Sequence, residues 1–123
     1  MLQVHTKKLG NVVVLCLDGK IVRGEIDVLR RAVLAQADAS VIVLDLARVN
    51  TVDAGGLAVM LELREHTEST GTELQLRNVT QLVKRILEIT RLDSVFKVSG
   101  NDRPDIAVVH QRPPAFLQTA SCA

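Results

Sequence analysis

The sequence predicts an α/β domain: a mixed, mostly parallel sheet of four to five strands, opened by an N-terminal β-hairpin and packed by three to four helices. Three observations point there. Short apolar runs rich in β-branched residues have strand length, at 12–17 and 41–46. Segments with apolar residues at three- and four-residue steps alternate with them. Gly10-Asn11 sits between two β-prone runs, which is a tight-turn signal.

The elements follow in order. Residues 4–9 alternate as a strand, and 12–17 continue after the turn as a nearly unbroken apolar run, so both faces of that strand should be covered. Asp18-Gly19 should end it. Residues 24–37 read as a helix, with Ile26, Leu29 and Val33 inward and Arg30 and Arg31 outward. The run 41–46 is expected to be a buried central strand. Asp53 is a plausible N-cap for a second helix whose inward stripe is Leu57, Met60 and Leu61, and Gly71 should stop it. Residues 72–77 alternate as a strand, with Leu74 and Leu76 inward. Asn78, with Gln81 three residues on, fits a capping box for a third helix carrying Val79, Leu82, Val83, Ile86 and Leu87. A short strand is expected at 95–98 and a short helix opening at Pro104-Asp105. The domain should span 1–110, with 111–123 a flexible tail.

Composition narrows the function. The chain has 123 residues, enough for one domain with its own core. The net charge of +1 gives no field for gathering phosphates or coating anionic lipid. There is no Trp or Tyr and only two Phe, so the rings on which single-stranded nucleic acid stacks are missing. Neither nucleic acid nor membrane insertion is expected, since no apolar run approaches the ~20 residues of a bilayer span. Cys16 reads as a small core residue and Cys122 as part of a loose end. No disulfide is expected, and a cytoplasmic, reducing setting is the default.

Enzyme chemistry finds little support. His5, His66 and His110 lie far apart without metal-pair spacing, so no metal is expected. No nucleophile elbow and no Cys-His signature occur. Asp45 ends an apolar strand run without a basic or nucleophilic partner near it in sequence, and reads as structural or capping. Gly55-Gly56 at a helix start lacks both the Lys-Ser/Thr of a P-loop and a Gly-x-Gly-x-x-Gly pattern. No cofactor is expected.

The stretch 41–61, an apolar strand followed by Asp45-Leu46, a spacer, and Asp53-Ala54-Gly55-Gly56-Leu57 opening a helix, resembles the signature of the STAS domain family, which includes sulfate transporter domains and bacterial anti-sigma factor antagonists. Leu17-Asp18-Gly19, Gly71-Thr72-Glu73-Leu74 and the stretch 79–98 extend the likeness over most of 4–100 in the family's order. The resemblance implies the STAS (SpoIIAA-like) fold and a non-catalytic module that docks a protein partner, such as an anti-sigma factor with kinase activity. It places partner contacts at Thr51, Asp53, Ala54, Gly55, Gly56, Leu57 and Ala58, with Lys20 and Arg23 at the rim.

Two departures stand out. The antagonists carry a phosphorylatable Ser or Thr where this chain has Ala54, and Ser or Thr again where it has Gly55, so no phosphorylation is expected there. Lys20-Ile21-Val22-Arg23 stands where the family often has Glu-Leu-Asp, a reversal of charge that suggests a different partner. Thr51 is a weaker alternative for phosphorylation, since a turn residue explains it as well. Rival readings are a STAS subunit of a transporter or stress-signalling complex, and a small anion- or nucleotide-binding domain. A homodimer stays open.

Overall fold

A computed structural model describes residues 2–36 and 38–99. The elements run β1 (Gln3–Leu9), β2 (Val12–Ile21), α1 (Asp27–Leu34), β3 (Val41–Val52), α2 (Ala54–Ser69), β4 (Glu73–Arg77), α3 (Gln81–Ile89) and β5 (Lys97–Ser99). They form one five-stranded sheet in the order β1-β2-β3-β4-β5. β1 pairs antiparallel with β2 across the two-residue turn, Leu9 opposite Val12, and all later pairings are parallel. The expected hairpin and mixed sheet are both present. The helix expected to open at Pro104 and the tail, with His110 and Cys122, lie outside the described residues.

Alternation along the strands divides the apolar residues between two faces. Val13, Leu15 and Leu17 join Ile42, Leu44 and Leu46 in the large core, together with Leu29 and Val33 of α1, Leu57, Met60 and Leu63 of α2, and Val83 and Leu87 of α3. Val14, Cys16 and Val43 form a second, smaller buried cluster on the opposite face. Both faces of β2 are therefore covered, as its unbroken apolar run implies. Cys16 is buried as expected, and Cys122, the other half of the sequence's pairing question, lies outside the described residues. The apolar run signals burial and carries no information about what meets the sulfur.

Several boundaries differ from the sequence reading. β2 does not stop at Gly19 but continues to Ile21, because β3 also runs on and pairs with it out to Ile21 opposite Val52, through irregularities at Cys16/Asp18 and Gly19/Lys20. The stretch 47–52, read as a spacer, is thus strand. It carries the β2–β3 pair past the end of β4, whose last partner on β3 is Asp45. Helix α1 begins at Asp27 rather than Gly24, since a hydrogen bond from Glu25 N–H to the Val22 carbonyl (3.0 Å) spends those residues on a turn. Asn78 does not cap α3. Its backbone is left-handed (φ 54°) and its amide donates to Asp45 Oδ2 at 3.0 Å, so the cap passes to Thr80, whose hydroxyl accepts from Val83 N–H at 3.3 Å.

Asp45 is the polar centre of the sheet. It is 3 % exposed and Arg77, directly opposite on β4, is 7 % exposed. Arg77 donates from Nε (3.0 Å) and Nη2 (2.8 Å) to Oδ2, while Ala47 N–H donates to Oδ1 at 3.0 Å. A buried carboxylate is tolerable when its oxygens are met this way.

Candidate functional site

The extended β2–β3 pair delivers two chain ends side by side at the carboxyl end of the parallel strands, where open α/β sheets place their binding surfaces. From β2 the chain turns through Val22-Arg23-Gly24-Glu25 into α1. From β3 it passes Asp53 into α2. The turn closes with Gly24 in its third position at φ 98°, a conformation that favours glycine.

Asp53 joins the two ends. Its backbone is extended, as an N-cap requires, and Oδ1 accepts from Gly56 N–H at 2.7 Å. The same carboxylate accepts from Arg23 N–H, at 3.2 Å to Oδ1 and 3.1 Å to Oδ2. Its own N–H donates to the Ile21 carbonyl at 3.3 Å. The Gly56 N–H, with help from those of Arg23 and Gly55 and from the nearby guanidinium, holds the Asp53 carboxyl below its ordinary 3.8 against the smaller opposing effect of desolvation. The carboxylate serves as cap and as clasp for the β2–α1 loop.

Two glycines let the loop lie close. A Cβ at Gly56 would stand 1.9 Å from the Ile21 carbonyl oxygen, and one at Gly55 would stand 2.8 Å from Arg23 Cβ. The first contact is with backbone of a paired strand, so the fold itself requires glycine at 56.

The residues expected to meet a partner separate into two groups. Lys20, Arg23, Asp53, Ala54 and Ala58 are exposed, and Thr51 and Gly55 are partly so. Ala54 and Ala58, four apart on α2, offer small apolar side chains to solvent. Gly56 and Leu57 are buried, Leu57 at 7 % exposure within the main core. They shape the surface from beneath. The periodicity that put Leu57 on the inward stripe was the sound signal. Sequence reasoning missed the clasp between Asp53 and Arg23, thirty residues apart, because only the strand register brings them together. It also missed Arg77 as the partner of Asp45, for the same reason.

Among the described residues no cluster of three His, Cys, Asp or Glu side chains is placed to hold a metal, and no helix is long and apolar enough to cross a membrane.

Comparison with known proteins agrees with this architecture. The family model described as "Mlab, STAS domain" matches residues 4–99. A STAS-domain containing protein of Pseudomonas aeruginosa is 32 % identical over 57 residues, which cover 46 % of this chain and 56 % of that relative, so the match spans little more than half its length. The Bordetella bronchiseptica protein BtrV, named as an anti-sigma factor antagonist, is 27 % identical over 96 residues, covering 76 % of this chain and 83 % of BtrV. The crystal structure of an anti-sigma factor antagonist from Mycobacterium paratuberculosis superposes with a TM-score of 0.72 over 90 % of this chain and 92 % of that one, at 18 % identity.

Proposed function

Because the chain belongs to the STAS domain family, we propose that it is a non-catalytic docking module of the anti-sigma factor antagonist kind, meeting a protein partner through the β2–α1 loop and the first turns of α2. The observation that carries this reading is the surface itself: Ala54 and Ala58 exposed at a helix start, with Arg23 clasped against it by Asp53. Small side chains and partly bared backbone let a partner approach closely, and apolar contact supplies affinity in proportion to the area buried. Lys20 and Arg23 at the rim favour a partner carrying acidic groups and govern its approach more than its final affinity.

A hydroxyl at the Ala54 position would let a phosphate add about two negative charges where a partner must dock. Alanine accepts no phosphate, so docking here is not switched by phosphorylation at this position.

The experiment is site-specific photo-cross-linking in the host. A photoreactive residue at Ala58 should capture a discrete protein, whereas one at the exposed Thr70, at the far end of α2, should not. Adding Ala54→Asp should sharply reduce capture from position 58. Equal capture from both positions, unaffected by Ala54→Asp, would place the partner elsewhere.

A further inference from the structure

We infer that Gly55 and Arg23 are a matched pair: glycine at 55 is what allows the β2–α1 loop to close onto α2, and this closure sets the shape and charge of the docking surface. The inference deepens the docking reading above. Two adjacent glycines differ in what surrounds them. Gly56 is required by the strand beneath it, through the Ile21 carbonyl 1.9 Å from its would-be Cβ. Gly55 has as its nearest neighbours atoms of the β2–α1 loop and not of a paired strand. Its backbone belongs to a regular helix without positive φ, a conformation open to any residue. The three atoms nearest to a Cβ there all belong to Arg23: Cβ at 2.8 Å, Cγ at 3.3 Å and Cα at 3.4 Å.

A contact of 2.8 Å must be relieved by movement, and the stem of Arg23 is not free to supply it. Its N–H is held by both oxygens of Asp53, and the turn it sits in is closed by Glu25 N–H on the Val22 carbonyl. Any side chain at 55 therefore lifts the loop and loosens the clasp. The Ser or Thr that the STAS signature carries there does not fit this closed arrangement. The glycine is thus more than the loss of a hydroxyl: it admits a cation to the edge of the helix start. Asp53 in turn is a positioning residue. Its oxygens are occupied by backbone donors, and it acts on a partner by holding Arg23 in place.

The pair is tested in the free protein by a double-mutant cycle read through amide hydrogen exchange at residue 23. Arg23→Gly removes the atoms that collide while keeping the N–H that Asp53 accepts. Gly55→Ser in the parent chain should lower protection at residue 23 by about tenfold, while the same change in the Arg23→Gly background should lower it less than about threefold. Gly55→Ala, which adds only the Cβ, should behave as Gly55→Ser does. Equal effects in both backgrounds, or unchanged protection in Gly55→Ser, would overturn the pairing. No partner enters this measurement, so its failure is distinct from failure of the docking reading, which the cross-linking tests.

Discussion

Replacing Arg77 by Met should destabilise the protein through what it leaves behind. Asp45 is 3 % exposed and accepts two hydrogen bonds from Arg77, one from Ala47 N–H and one from the Asn78 amide. Removing one member of a buried ion pair costs about 3–5 kcal/mol, mostly because the other charge is left without compensation. Two donors remain on Asp45 in Arg77→Met, so the lower end applies, about 3 kcal/mol. For a domain of this length that is a fall in melting temperature of roughly 10 °C. Urea unfolding at neutral pH, with calorimetry beside it, measures both. The diagnostic variant is Asp45→Asn/Arg77→Met. If the orphaned carboxylate is the cost, neutralising it should restore at least half of the lost stability. A double variant as unstable as Arg77→Met would refute the reasoning and assign the loss to packing of the arginine stem.

Other changes test separate parts of the structure. Gly56→Ala drives a methyl group into the Ile21 carbonyl and should cost at least the ~1–3 kcal/mol of an overpacked site, read as a lower urea midpoint or loss of soluble protein. Thr80→Ala should cost about 1 kcal/mol and raise hydrogen exchange at the start of α3, because Thr80 and not Asn78 supplies the cap. Acid should weaken the fold through two carboxyls. The Gly56 N–H holds Asp53 below its usual 3.8, and a hydrogen bond from the Lys97 ammonium holds Glu73 below its usual 4.5. Groups depressed in the folded state contribute stability above their unfolded values and lose it as pH falls through the folded ones. Urea midpoints should therefore drop as pH is lowered through and below 4.5 and 3.8, and Asp53→Asn should flatten the lower part of that slope.

Much of the fold was legible because it rests on local signals. Gly10-Asn11 marked the hairpin, and unbroken apolar runs marked strands covered on both faces. What was not legible depends on register. Nothing near residues 18–21 or 47–52 announces strand, since their pairing stabilises both segments jointly and neither is strongly apolar alone. Asn78 has the residue type and spacing of a cap, yet the carboxylate of Asp45, 33 positions earlier, captures its amide. The candidate site shows the same division. Residues 51–58 carry a recognisable pattern, and the cap at Asp53 follows from residue type. That Asp53 also holds Arg23, and that Arg23 fills the space a side chain at Gly55 would need, comes only with the β2–β3 pairing extended to Ile21 and Val52.

The central claim is that the exposed start of α2, with Ala54 in place of a hydroxyl, is the docking surface. Quantitative affinity capture from host extract, using the protein and its Ala54→Asp variant side by side, addresses it most directly. The variant adds a carboxylate at the first helical residue without touching the core, and Asp is tolerated at a helix N-terminus. A partner enriched by the parent protein should fall by about tenfold or more with the variant, a loss of roughly 1.4 kcal/mol in binding, while both proteins melt within a few degrees of each other. Equal recovery of the same partner by two equally stable proteins would contradict it.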